Sequence, residues 1–188
     1  MPTIISHAVV AAAAGKVLGA KRRVLVWGAL LSMLPDIDVV WFSFGMRYHD
    51  MLGHRGFTHS LLFALFAAIA VTAVAMRNVP RYTPGWFGTL AFLFVCAASH
   101  GVLDAMTNGG SGIPFFFPFD NTRHFLPWRP IEVSPIGRNF FSARGADTLL
   151  NEICVLWLPC AALLTIRFVT RKWMRRNTRH NARTTRTL

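Results

Sequence analysis

Apolar residues in this chain fall into long, nearly unbroken runs, without the alternation or the three-and-four spacing of a soluble fold. Three runs reach the roughly 20 residues that a helix needs to cross about 30 Å of hydrocarbon. They are VLVWGALLSMLPDIDVVWFSFG (24–45), THSLLFALFAAIAVTAVAM (58–76) and WFGTLAFLFVCAASHGVLDAM (86–106). A fourth, LLNEICVLWLPCAALLTIRFV (149–169), contains Pro159, which a membrane helix accommodates when neighbouring groups satisfy the freed carbonyl. An earlier Ala-rich run, 4–20, is interrupted by His7 and Lys16. No basic residue precedes its apolar part, so it reads as a helix tucked against the others, spanning or re-entrant, and not as a signal peptide. The pattern predicts an all-α integral membrane protein: a four- or five-helix transmembrane bundle over residues 1–170 with a long irregular outward-facing loop.

Charge sets the expected orientation. The 188 residues are 53% hydrophobic yet carry a formal charge of +12, so the basic residues must be segregated from the runs. Lys21, Arg22 and Arg23 precede the first long run, Arg77 and Arg81 separate the second from the third, and a basic tail follows the fourth. Alternation puts all three clusters on one side, which the positive-inside rule makes the cytoplasm. Residues 171–188 are expected to be a disordered cytoplasmic tail that acts as a membrane anchor, with membrane lipids as its neighbours in preference to nucleic acid. Connections 45–57 and 107–148 then face the periplasm or cell exterior. The second is rich in Gly, Pro and aromatics, with turns at Asn108, Gly109 and Gly110. It reads as an interfacial belt that doubles as a lid, with Arg123, His124 and Arg129 available to a phosphate and Asp120 and His124 as further candidate ligands. Cys96, Cys154 and Cys160 lie in apolar stretches without metal-site spacing and read as small buried hydrophobes.

Seven ionisable residues lie in or beside the runs: His7, Asp36, Asp38, His54, His59, His100 and Asp104. Each is costly in hydrocarbon, which makes such positions functional candidates. With the orientation above, all seven fall at the outward ends of their segments. His100 and Asp104, four apart in HGVLD, share one helix face. Pro35 interrupts the helix before Asp36 and Asp38. His54 and His59, five apart, need a turn near Gly56 to converge, with Thr58 as an N-cap. Imidazoles with carboxylates suit Zn²⁺, or Mn²⁺ or Fe²⁺, and seven candidates suffice for one or two ions. Two ions clamp a phosphoryl group and make a nucleophile of water.

The motifs LPDIDVVW, GHRGFTHSLLF and SHGVLDAMTNGG, in that order after an early histidine in ISHAVVAAAAG, resemble the bacterial membrane-bound metal-dependent hydrolases of the YdjM type. That group is in turn distantly similar to zinc-dependent phospholipase C and to nucleases of the S1/P1 kind. The resemblance implies a hydrolase whose metal ligands match His100 and Asp104, Asp36 or Asp38, and His54 or His59. The later HxxxE pair of the soluble enzymes has no counterpart, because no histidine lies four positions before Glu152. The expected substrate is a phosphoester, either a phospholipid or another membrane-borne phosphate. Arg55 is expected to stabilise the oxyanion, and Asp38 or its neighbour Asp36 to act as general base. Two other classes use the same residues differently. A proton-coupled transporter would employ the His/Asp cluster as a relay, and a non-catalytic membrane scaffold would depend on the tail instead.

Overall fold

A computed structural model of the chain describes residues 1–47, 50, 53–135 and 137–184, with side chains described to residue 178. Positions 48, 49, 51 and 52 of the 45–57 connection, and positions 136 and 185–188, lie outside the described residues.

Helix α1, Ile4–Leu18, stops at Gly19, whose φ of 78° lets the chain turn back and its N–H reach Lys16 O. Helix α2, Arg22–Met33, meets Pro35, which lacks an N–H and crowds the preceding turn. The chain tightens into 3₁₀ geometry over Leu34–Phe44. Asp36 and Asp38 turn inward there, while Ile37, Val40 and Phe44 face outward. A short 3₁₀ turn, Phe57–His59, leads to Ser60, whose hydroxyl accepts Phe63 N–H and caps α3, Leu61–Ala75. Thr58, expected as that cap, is diverted to Asp38. Thr83 caps α4, Pro84–Ala105, with proline in the first turn. Helix α5, Ala143–Glu152, passes through a π turn, Ile153–Trp157, into α6, Leu158–Thr184.

Among the described residues three helical stretches are long and apolar enough to cross a membrane: Arg22–Phe44, Pro84–Ala105 and Ala143–Thr178. The run 58–76 yields a regular helix of only 15 residues, because Thr58 and His59 are spent in the 3₁₀ turn. Helix α1 has the same length, so both fall short of the roughly 20 residues of a full span. The tail also departs from expectation. Residues 171–184 continue α6, since lysine and arginine are good helix formers and neither glycine nor proline intervenes.

Helix α2 packs on α1 and α4, α3 on α4, and α6 on α1. The central cluster of Leu31, Ala64, Ala68, Leu93 and Ala97 is rich in small side chains, which let helix backbones approach closely. Helix α6 stands apart. Only 6% of its apolar window is buried, against 33% in each of the other two long stretches.

Residues 107–135 are irregular but tied down. Leu126 N–H donates to Ala105 O, Asn108 N–H to Ile131 O, and Ile113 and His124 exchange backbone hydrogen bonds. Leu61 N–H, at the start of α3, donates to Phe115 O. The segment therefore laces the end of α4 to the start of α3, with Ile113 and Ile131 wholly buried beneath it.

The start of α1 is held by a residue whose role the sequence left open. Glu152 is wholly buried and accepts from Thr3 N–H at 2.6 Å, from Thr3 Oγ1 and from Ser6 Oγ, and Trp157 Nε1 donates to Ser6 Oγ. It supplies an anionic cap to the positive end of α1 and fixes the rotation that carries His7. Glu152→Leu, which leaves these donors unpaired, is expected to cost about 2–5 kcal/mol, and Glu152→Gln about half as much. Thermal unfolding of the detergent-solubilised protein measures both, and unchanged stability in the leucine variant would show that α1 does not depend on this cap.

Candidate metal centre

The four helical segments that carry candidate ligands converge in the interior. His100 and Asp104, one turn apart on α4, have no exposed surface. His100 Nδ1 lies 2.8 Å from Ser32 O. Pro35 cannot supply the N–H that a 3₁₀ turn would send to this carbonyl, so the imidazole can. A carbonyl only accepts, which puts the proton on Nδ1 and leaves the Nε2 lone pair pointing inward.

His59 has the same arrangement. Its Nδ1 lies 3.0 Å from Thr58 Oγ1 and 3.3 Å from Asp38 Oδ2, and Thr58 Oγ1 itself donates to Asp38 Oδ2 at 2.8 Å. The hydroxyl proton being committed to the carboxylate, His59 Nδ1 is the donor and Nε2 again bears the lone pair. The two Nε2 atoms face each other at 3.1 Å. Asp36 Oδ1 is 3.3 Å from His100 Nε2 and 3.9 Å from His59 Nε2. Asp104 Oδ2 is 3.5 Å from His59 Nε2 and 4.0 Å from His100 Nε2.

Two lone pairs opposed at this distance repel unless a proton or a metal ion lies between them. A tetrahedral ion with bonds of about 2.0–2.1 Å separates its ligand atoms by about 3.3 Å, close to the spacings here. Neither carboxylate oxygen of Asp36 or Asp104 has a hydrogen-bond partner, and neither nitrogen of His7 has one. Buried acceptors that receive no hydrogen bond are groups that a bound cation or water would satisfy. The donor set of imidazole nitrogens and carboxylate oxygens therefore fits a divalent metal ion. His7 stacks on His100 with ring centroids 3.8 Å apart and sets Nε2 3.5 Å from Asp104 Oδ1. Overlapping ligand groups are formed by His7, Asp36 and His100, by Asp36, His54 and His59, and by His59, His100 and Asp104.

Asp38 is placed differently from Asp36. Its carboxylate receives His54 Nδ1 at 2.6 Å, Arg55 N–H at 3.2 Å and Thr58 Oγ1, besides facing His59 Nδ1. It thus orients both imidazoles of the GHRGFTH motif. The bend that brings them together falls one residue before Gly56. Arg55 itself takes a φ of 62°, a left-handed conformation costly for a side chain of this size.

Arg55 is wholly buried. Its Nε lies 3.3 Å from Asp104 Oδ2, Nη1 donates to Gly109 O and Nη2 to Thr107 Oγ1. Arg123, half-buried, donates to Arg55 O and Ser111 Oγ, and Arg129 lies over the Phe125 ring. Arg55 and Arg123 are therefore built into the frame around the cluster, whereas Arg129 is exposed. Asp120 is fully exposed and bonds Thr122 N–H, and His124 rests against Phe115 and Phe116. No metal-ligating group of three among the described residues includes either.

Comparison with known proteins bears on this site and its setting. The model of the family described as YdjM inner membrane protein matches residues 1–174. The chain belongs to the YdjM family. It is 38% identical to the inner membrane protein YbcI of Escherichia coli (strain K12) over 168 residues, which is 87% of this chain and 95% of the relative. It is 33% identical over 99 residues to the uncharacterized protein YvsG of Bacillus subtilis (strain 168), covering 48% of this chain and 54% of that one. No solved structure matches. YdjM membership and the long apolar helices together support an inner-membrane location, and the cluster is a buried His/Asp set able to hold a metal ion.

Burial works against a charge on His59, but Asp104 and Asp38 outweigh it and hold the imidazole pKa up at about 9. A proton therefore competes with a cation for His59 across the neutral range. Apparent affinity for a divalent ion is expected to rise with pH, by up to about tenfold per unit, and to level off as the solution passes pH 9. Competition titration against a chelator in detergent measures this, and an affinity indifferent to pH would remove His59 from the ligand set.

Proposed function

We propose that this protein is a membrane-bound, metal-dependent hydrolase acting on phosphoesters, with one or two divalent ions held by the His/Asp cluster. The observation that carries the reading is the pair of opposed Nε2 atoms of His59 and His100, each imidazole anchored through its Nδ1, flanked by oxygens of Asp36 and Asp104 that accept no hydrogen bond.

His59, His100, Asp36 and Asp104 would hold an ion, and His7 and His54 stand where a second could share ligands. Zn²⁺ fits this donor set well, and Mn²⁺ and Fe²⁺ also accept it. A bound ion supplies Lewis-acid chemistry, polarising a phosphoryl oxygen and acidifying water. Asp38, with its contacts committed to His54, Arg55, Thr58 and His59, serves to orient ligands, which moves the general-base role toward Asp36. Arg55 offsets the charge of Asp104, a position that favours holding this carboxylate over contacting a substrate oxyanion. The positions of Lys21, Arg22, Arg23, Arg77, Arg81 and the basic end of α6 support a cytoplasmic C-terminus and a site facing outward.

Elemental mass spectrometry of the purified protein tests the reading. About one or two equivalents of zinc or manganese are expected, lost in His59→Ala and His100→Ala together with hydrolysis of a phosphodiester. A well-folded protein that takes up no divalent ion after reconstitution would overturn it and leave the cluster as a proton relay.

A further inference from the structure

The cluster is nearly sealed. His7, Arg55, His100 and Asp104 have no exposed surface, and Asp38 and His54 show 1% each. Asp36 also lines a cleft, a space of about 290 Å³. Ile4 and Ile5 at the start of α1 form one wall, Val39 on the 3₁₀ segment another, and Pro135 and Phe140 the third, with Met1, Thr3 and Ser134 as its polar members. The lining is otherwise apolar and includes no lysine or arginine side chain.

A passage for a soluble, charged ester would need polar groups to replace the water that its substrate leaves behind. This wall offers hydrocarbon. The outer surface beside it is apolar too, since Ile5, Ile37, Val40 and Phe44 are all exposed, and the last three belong to a helical stretch long and apolar enough to cross a membrane. Asp36 lines the cleft and sets Oδ1 3.3 Å from His100 Nε2, so this carboxylate joins the cleft to the His/Asp cluster. The cleft is therefore largely apolar, with a ligand-bearing carboxylate where it meets the cluster. Its volume, at the low end for small-molecule pockets, admits the first part of one chain while the rest remains in the bilayer.

We propose that this cleft seats the hydrocarbon chain of a lipid phosphoester that enters sideways from the membrane and presents its phosphate at Asp36, an inference that rests on the hydrolase reading above. In the reaction the oxygen of water bonds to phosphorus, the P–O bond to the leaving alcohol breaks, and a proton from water ends on that alcohol. The products are a phosphate monoester and an alcohol.

The test uses the full chain, metal-loaded in phospholipid nanodiscs, with a matched pair of phosphodiesters that release the same chromophore: hexadecyl and ethyl p-nitrophenyl phosphate. A hexadecyl analogue with a photoreactive diazirine in its chain maps binding directly. Peptides containing Ile5 or Phe140 are expected to carry the label in the unaltered protein. Val39→Trp, which fills the cleft, is expected to abolish that label and lower the ratio of hexadecyl to ethyl kcat/KM by about tenfold or more, because buried methylenes no longer contribute. Label confined to the outer surface of α6, or equal use of the two esters by the unaltered protein, would overturn the cleft assignment while leaving the hydrolase reading intact. Label in the cleft with neither ester hydrolysed would keep the lipid site and overturn the hydrolase reading instead. The label map of the unaltered protein decides the matter even if Val39→Trp does not fold.

Discussion

Three carboxylates, Asp36, Asp38 and Asp104, share one buried cluster of an inner-membrane protein with one guanidinium, Arg55. Left uncompensated, the remaining negative charge would be worth several kcal/mol per ion against the folded state. The architecture around it supplies compensation. Arg55 accepts a left-handed backbone to place its side chain against Asp104, and Asp38 gathers donors from four residues. A cation held by the cluster would complete the balance, which makes the polar interior and its chemistry one problem.

The same economy appears at the helix ends. Pro35 winds α2 into a tighter spiral, aims two carboxylates inward and leaves the Ser32 carbonyl to fix His100. Glu152, far along the chain, holds the start of α1 and so the bearing of His7. Ligand direction is thus set by backbone irregularities: a proline, a capped terminus and a strained turn. Regular helix alone supplies only the pairing of His100 with Asp104.

Much of this is legible in sequence because the membrane imposes such a severe contrast. Polar residues within apolar runs mark themselves, and their positions near run ends suffice to suggest convergence. Roles within the cluster are harder to read. Asp36 and Asp38 differ by their place on a 3₁₀ turn, which periodicity does not reveal. Arg55 reads as a free cation until its burial is seen, and only its place between glycines hints at an unusual backbone. Glu152 carries a signal of the same kind, a carboxylate in an apolar run, which the reading of the sequence did not use, and no partner nearby in sequence points to Thr3 and Ser6. The length of α3 depends on whether Thr58 and His59 join the helix, and their attachment to Asp38 decides that they do not.

The lacing of residues 107–135 across α3 and α4 bears on selectivity. Backbone hydrogen bonds from Leu61 to Phe115 and from Leu126 to Ala105 tie together the two helix ends beside which His59 and Asp104 stand. A ligand set held this way cannot expand to the six or more oxygen donors that a large, hard cation such as calcium demands. By stiffening what lies beneath it, the irregular loop would act as a size filter on any ion taken up by the cluster, so that selection among metals would rest on rigidity as much as on the identity of the donors.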